Sequence, residues 1–159
     1  MSTSTTAGPV TIREATRGDL AAIERLLADA ELPIAGVAEI LTTRPEDFFV
    51  AEVGGDEPRI VGAGGVEVCC DNAVLRSVVV RPEWRSHGVG RDLVRRLVCH
   101  AESRGIHALY LLTMTAEHYF PRFGFERIER SAVPTEIAET VEFKSACPES
   151  ATAMVKALA

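Results

Sequence analysis

The chain has 159 residues, of which 47% are hydrophobic and 25% are charged, and its net charge is −6. This length suits one domain with a substantial core, and the composition is that of a soluble globular protein. Net acidity argues against a nucleic-acid partner because no basic stripe is available to neutralise phosphates, and no apolar run is long enough to span a bilayer.

The first part of the chain predicts a strand followed by two helices. Residues 1–8 are rich in Ser and Thr and lack an apolar centre, so we expect a frayed tail there instead of a signal peptide, with one domain over residues 9–159. A strand is predicted over residues 10–15. Apolar residues at helical spacing then predict a helix that ends before Pro33, and a short second helix is predicted over residues 36–41.

Three strands joined by short turns are predicted next, over residues 48–53, 60–69 and 74–80. The turn-forming residues between them favour antiparallel pairing. The second of these strands contains Gly62, Gly64 and Gly65. Glycines at this density weaken a strand, and they indicate a bulge or the close approach of another group.

The second half of the chain predicts an α/β arrangement with one parallel crossover. A long amphipathic helix over residues 88–104 precedes a wholly apolar strand over residues 108–112, and a strand, a helix and a strand in this order imply a right-handed connection. Four further elements are predicted: a helix over residues 116–122, a strand over 125–128, a helix over 135–143 and a last strand over 153–158. The expected fold is a single α/β (α+β) domain whose mixed central sheet of 6–7 strands is flanked by helices.

A glycine-rich turn, Arg85-Ser86-His87-Gly88-Val89-Gly90, lies between the strand over residues 74–80 and the long helix. The first amides of a helix have no intrahelical acceptor, and glycine lets an anion approach the backbone closely. Arg85 adds a permanent cation. A turn that needs glycine only for a positive φ angle is the plainer alternative, and neither the dinucleotide-binding GxGxxG pattern nor a P-loop is present.

The pattern Arg-x-x-Gly-x-Gly resembles the acetyl-coenzyme A loop of the GNAT superfamily of N-acetyltransferases. The order of predicted elements resembles the GNAT fold over nearly the whole chain, and Thr113-x-x-Ala116 and Phe123-Gly124-Phe125 are similar to a later motif of that family. Within the superfamily, the chain resembles the small arsenic-resistance-associated N-acetyltransferases, which are in turn similar to N-acetylglutamate-synthase-type enzymes. Five segments carry that second likeness: Gly65-Val66-Glu67, Leu75-Arg76-Ser77-Val78, Tyr110-Leu111-Leu112-Thr113, Thr140-Val141-Glu142-Phe143 and Cys147-Pro148-Glu149-Ser150-Ala151.

The resemblance implies acetyl-CoA as co-substrate and a wedge between the strands over residues 74–80 and 108–112. The pantetheine arm would enter this wedge and pair with the edge of the first strand, and the pyrophosphate would lie on the amides of the glycine-rich turn. The cofactor-binding residues that the resemblance implies are Val78, Val79, Val80, Arg85, Ser86, His87, Gly88, Val89, Gly90, Thr113 and Phe120.

The expected chemistry, amine attack on a thioester, needs a base because much of a free amine is protonated at neutral pH. Many relatives carry a glutamate at the strand position that Val74 occupies here. Glu67 on the preceding strand is the candidate base, and an exposed carboxylate without a catalytic role is the alternative. Phe120 occupies the position of the family's usual proton-donating tyrosine. Tyr119 precedes it by one residue, which turns a helical side chain by about 100°, so this candidate general acid is displaced.

Arg76 is the main candidate for binding the acceptor. It is a charged residue in an otherwise apolar strand, so it needs a partner. Either Arg76 forms a structural ion pair, for instance with Glu67, or it clamps an acceptor carboxylate with two hydrogen bonds. Ser77 and Glu142 complete the candidate substrate-binding set.

We therefore expect an acetyl-CoA-dependent N-acetyltransferase that acts on a small, amino-acid-like amine, in arsenic or related toxin resistance. The alternative is a catalytically weak acetyl-CoA-binding sensor or partner module, which the missing tyrosine and glutamate support. Four cysteines without CxxC or metal-ligand spacing predict free thiols, a cytoplasmic location and no metal site. No nucleic-acid or membrane partner is expected, and a homodimer is one state that the resemblance brings.

Overall fold

The computed structural model describes residues 9–146 and 150–158, so the predicted tail over residues 1–8 and the segment 147–149 lie outside the described residues. Seven strands form one sheet: β1 (Val10–Glu14), β2 (Phe48–Val53), β3 (Arg59–Cys69), β4 (Asn72–Val80), β5 (Ala108–Thr113), β6 (Glu126–Arg127) and β7 (Thr152–Ala157). The α-helices in this part of the chain are α1 (Leu20–Asp29), α2 (Val37–Thr43), α3 (Val89–Ser103) and α4 (Thr135–Ala138). None of the described helices has the length and apolar character needed to cross a membrane.

Neighbouring strands follow the order β1-β2-β3-β4-β5-β7-β6 across the sheet. The pairs run antiparallel except for β4 and β5, which run parallel. These two strands are joined by α3, in the crossover that the sequence predicts. A seven-stranded mixed sheet with flanking helices confirms the predicted fold class.

The two central strands, β4 and β5, separate after a short stretch of pairing. Their parallel register ends at Val74 and Tyr110, although β4 continues to Val80 and β5 to Thr113. The strands therefore leave a wedge between them, as predicted, and the β4 edge that faces β5 has no strand partner there among the described residues.

A bulge in β4 lies where the wedge opens. The register of β3 and β4 shifts between Ala63 and Gly65, so that Ser77 and Val78 of β4 lie opposite Gly64 alone. Ser77 has a φ angle of 62°, in the left-handed region that residues other than glycine seldom adopt. A bulge redirects backbone groups out of the regular ladder, and here it redirects them beside the wedge.

Helices cover both faces of the sheet. Leu93 and Leu97 of α3 are fully buried on one face, and Ile23 and Leu27 of α1 are fully buried on the other, where they share a cluster with Phe48. Burial of each such side chain contributes about 1.5–3 kcal/mol. The two layers hold the sheet between them and leave the wedge as its main irregularity.

The helix predicted over residues 116–122 is instead a short 3-10 turn, Phe120–Phe123. Pro121 lacks the amide hydrogen that a longer helix would need, and Gly124 ends the turn with a φ angle of 93°. The strand that follows is also shorter than predicted.

The helix predicted over residues 135–143 is divided in two. It forms α4 and then a π-helical turn, Glu142–Ala146. Between them, the Thr140 hydroxyl donates to the Ile137 carbonyl at 2.7 Å and accepts from the Phe143 amide at 3.3 Å. Such side-chain bonds occupy backbone groups that a continuous helix would pair.

Candidate active site

A cleft of about 1030 Å³ opens at the wedge between β4 and β5. Its walls also include the loop after α1, the turn before α3 and the 3-10 turn near residue 120. It brings together most of the predicted site residues: Arg76, Ser77, Val78, Val79, Val80, Arg85, Ser86, Gly88, Gly90, Thr113, Tyr119, Phe120 and Glu142. Of the other predicted residues, Glu67, His87 and Val89 are outside the described lining of the cleft.

The turn before α3 presents unbonded amides to the cleft. Gly88 precedes the helix with a φ angle of 82°, and Ser86 has a φ angle of 70°. The first helical hydrogen bond of this region is made by the amide of Asp92, which donates to the Gly88 carbonyl at 3.0 Å. For the amides of residues 86–91, no acceptor is found among the described residues. Amides in this arrangement at a helix start are suited to binding an anion, so this turn is a candidate anion site.

Three arginines border this anion site, and two of them were not predicted. Arg85 donates from Nε to the Val80 carbonyl at 3.3 Å. Arg91 Nη2 lies 2.7 Å from where a Cβ on Gly88 would stand, so the guanidinium covers the glycine. The Arg122 guanidinium carbon lies 4.6 Å from the centroid of the Tyr119 ring. Three guanidinium groups around unbonded amides suit a ligand with several phosphates.

Tyr119 lies at the same end of the cleft. A Cβ built on Gly90 would stand 3.2 Å from the Tyr119 hydroxyl, so the hydroxyl lies beside the first turn of α3. Burial raises the pKa of the Tyr119 phenol, which keeps it protonated and able to donate at neutral pH. The next residue, Phe120, is buried against Phe125, with ring centroids 5.7 Å apart.

At the other end of the cleft, the Arg76 side chain is fully buried within a network of acceptors. Nη1 lies 3.2 Å from Glu67 Oε1, Nη2 lies 3.5 Å from Glu142 Oε1, and Nε donates to the Ser77 hydroxyl at 3.1 Å. Nη2 also donates to the Ala35 carbonyl. One guanidinium thus connects β3, the β4 bulge, the loop before α2 and the π-helical turn.

Strand alternation explains where Glu67 points. Val66 and Val68 pack into the cluster under α3, whereas Glu67 lies on the opposite face and pairs with Arg76. The Glu67 side chain is 26% exposed and that of Glu142 is 7% exposed. Of the two carboxylates, Glu142 is the one that lines the cleft. Neither they nor any other described His, Cys, Asp or Glu residues form a group of three that could hold a metal ion.

Comparison with known proteins agrees with this geometry. The family model of the acetyltransferase (GNAT) domain matches residues 44–127. The amino-acid acetyltransferase of Mycobacterium tuberculosis is 30% identical over 129 residues, which cover 79% of this chain and 74% of that protein. A crystal structure from M. tuberculosis, in complex with CoA, has a TM-score of 0.78 at 25% identity and covers 94% of this chain and 99% of its own.

The fold is also shared with a longer protein. The N-acetylglutamate synthase of Neisseria gonorrhoeae, complexed with coenzyme A and N-acetyl-glutamate, has a TM-score of 0.77 at 20% identity. The alignment covers 97% of this chain but 36% of the synthase chain, so the likeness concerns one part of that protein.

Proposed function

The chain belongs to the GNAT family of acetyltransferases, and on that premise we propose that it moves the acetyl group of acetyl-CoA to the amine of a small, amino-acid-like acceptor. The observation that carries this proposal is a cleft that joins unbonded helix-start amides at one end to a bulged strand edge at the other. The CoA in the M. tuberculosis structure and the name of the M. tuberculosis relative support acetyl-CoA and an amino-acid-like acceptor, respectively.

The donor follows the length of the cleft. Its pyrophosphate lies on the amides of residues 86–91, where the three arginines balance its charge. The pantetheine arm runs along the edge of Val78 to Val80, which has no strand partner among the described residues and supplies the hydrogen bonds of a missing strand. At Val80 the arm meets a carbonyl that already accepts from Arg85 Nε. The thioester carbonyl then reaches the bulge at Ser77, where a backbone amide stabilises the developing oxyanion. One such donor is worth roughly 10²–10³ in rate.

Tyr119 binds the donor's phosphate end in this arrangement and does not protonate the leaving thiolate. For Tyr119→Phe we expect KM for acetyl-CoA to rise about tenfold, the value of one hydrogen bond to a charged group, with kcat nearly unchanged. Because burial raises the phenol's pKa, the hydroxyl stays protonated and the effect should be constant between about pH 6 and 9. Initial rates against acetyl-CoA at several pH values measure this. A lower kcat with unchanged KM would assign the hydroxyl to acid catalysis.

The base that deprotonates the amine is one of the two carboxylates beside Arg76, and we propose Glu142 ahead of Glu67 because it lines the cleft. Glu142→Gln is expected to lower kcat/KM by about 100-fold at neutral pH. The loss should shrink above about pH 9, where the acceptor amine loses its proton unaided. Glu67→Gln is the matched control, since it removes the other carboxylate that pairs with Arg76. If Glu67→Gln lowered kcat/KM more than Glu142→Gln, Glu67 would be the base instead.

The proposed function is tested by release of free CoA thiol from acetyl-CoA over a panel of amines. The panel holds amino acids, polyamines and an arsenic-containing amino acid, the last because of the resemblance to arsenic-resistance enzymes. Turnover with at least one amino-acid-like amine is expected. Acetyl-CoA binding without turnover of any amine would favour a sensor or partner module, which Phe120 and Val74 at the usual tyrosine and glutamate positions support.

We place the reaction in the cytoplasm. Cys69, Cys70 and Cys99 are free thiols in the described part of the chain, which suits a reducing compartment. A homodimer stays a prediction from the resemblance.

A further inference from the structure

The two ends of the cleft differ in charge. Four arginines and two glutamates are the charged residues of its described lining. Arg85, Arg91 and Arg122 belong to the donor end: Arg85 lies in the glycine-rich turn and contacts the Val80 carbonyl, Arg91 lies against Gly88, and Arg122 lies over the Tyr119 ring. At the acceptor end, Arg76 is therefore the one cation among the described lining residues.

The positive charge of Arg76 is already balanced. Each of its three guanidinium nitrogens contacts a protein oxygen, and two of them face the carboxylates of Glu67 and Glu142. The side chain is fully buried. A substrate carboxylate would have to displace one of these partners to gain an ion pair with Arg76. Glu31 also lines the cleft, on the loop whose Ala35 carbonyl accepts from Arg76. Together with Glu142 in the lining and Glu67 behind it, three carboxylates oppose one guanidinium at this end.

Exposed apolar side chains line part of the same cleft, on the loop after α1 and directly after β5. Leu32 and Met114 are the large hydrophobic side chains recorded as exposed in the described chain, at 36% and 53%. Both line this cleft, together with Pro33. Exposed hydrophobic groups scattered singly need no explanation, but two that meet at one cleft indicate a ligand that covers them. Side chains of this kind recognise an apolar chain.

We infer that the acceptor is a primary amine whose side chain is uncharged or apolar, so that acceptors with a second carboxylate, such as glutamate, are excluded. The inference rests on the proposed function and narrows its substrate class. It differs from what the N-acetyl-glutamate in the Neisseria structure would suggest, because the electrostatics of this cleft oppose a dicarboxylate.

Isosteric acceptor pairs test the inference directly. Rates of CoA thiol release are compared for glutamate against glutamine, for aspartate against asparagine, and for methionine. We expect kcat/KM for each uncharged member to exceed that of its acidic partner by at least about tenfold at low salt, with the difference shrinking as salt rises, and we expect methionine to match or exceed glutamine. Glutamate acetylated as fast as glutamine would overturn the inference and leave the proposed function standing. Turnover of no amine at all would overturn both.

A charge-neutral variant tests the mechanism of exclusion. Glu31→Gln should raise kcat/KM for glutamate relative to glutamine by roughly fivefold, the order of effect expected for one exposed and partly screened charge. Glu102→Gln is the matched control, since Glu102 is an exposed carboxylate of α3 outside the lining of the cleft, and it should leave the ratio unchanged. If the ratio of kcat/KM for glutamate to that for glutamine were the same in Glu31→Gln and Glu102→Gln, Glu31 would have no part in excluding glutamate, which would contradict the charge argument.

Discussion

Gly90→Asp is expected to weaken acetyl-CoA binding by about 100-fold or more while leaving the fold intact. Gly90 is the second residue of α3, and a carboxylate there would repel the pyrophosphate and compete for the same amides. The same carboxylate favours the helix itself, since negative charge at a helix start contributes about 0.3–1 kcal/mol. Calorimetric titration with acetyl-CoA measures the binding, and thermal unfolding measures the stability.

Gly90→Ala is the matched control for this charge effect. Its methyl group would stand 3.2 Å from the Tyr119 hydroxyl and 3.6 Å from Val80 Cγ2, which requires a shift of a few tenths of an ångström. We expect its affinity for acetyl-CoA to stay within about threefold of that of the unmodified protein. If Gly90→Asp also binds acetyl-CoA within about tenfold of the unmodified protein, the pyrophosphate does not lie on this turn.

Arg76→Met is expected to lower the free energy of unfolding by about 3–5 kcal/mol. The substitution leaves the carboxylates of Glu67 and Glu142 without the guanidinium that faces them, and the loss of one partner from a buried ion pair carries a penalty of this size. Partial exposure of Glu67 places the expected value at the lower end. Urea unfolding at neutral pH measures it.

A double-mutant cycle separates this charge effect from lost packing. In Arg76→Met/Glu142→Gln the two changes should be less damaging together than their sum, by about 0.5–3 kcal/mol. Arg95→Met serves as the surface control, because Arg95 is exposed on α3 and its replacement should change stability by less than about 0.5 kcal/mol. If the effects of Arg76→Met and Glu142→Gln on the free energy of unfolding were strictly additive, the ion pair between Arg76 and Glu142 would not stabilise the fold.

The features that could be predicted from the sequence are those set by neighbouring residues. Strand, turn and helix follow one another around Gly88, and that local order was enough to predict a helix start able to take an anion. The density of glycines in β3 predicted a bulge or the close approach of another group. The register of β3 against β2 does shift, between Ala51 and Glu52, and Val61 is the extra residue of β3 there. A close approach is also found, at Gly65, where a Cβ would stand 2.3 Å from the Phe48 ring. The sequence could not show that Phe48 is the group that approaches.

The features that could not be predicted depend on contacts between distant segments. Arg91 lies outside the Arg-x-x-Gly-x-Gly pattern. It reaches the anion site because it lies about one helical turn after Gly88. Arg122 reaches it through a 3-10 turn where a helix was predicted. The sequence offered a structural ion pair between Arg76 and Glu67 as one of two interpretations, and the structure has this pair, with Arg76 Nη1 3.2 Å from Glu67 Oε1. The contacts of Arg76 with the Ala35 carbonyl and with Glu142 come from distant segments, and no sequence pattern indicated them.

The early parting of β4 and β5 means that the acyl donor would act as a structural component as well as a reactant. A bound pantetheine arm supplies hydrogen bonds that no strand of the described chain provides, so the folded state should gain about 1.4 kcal/mol for each tenfold excess of free donor over its dissociation constant. Resistance to proteolysis would then increase with the concentration of acetyl-CoA, which would couple the lifetime of the protein to the metabolic state of the cell.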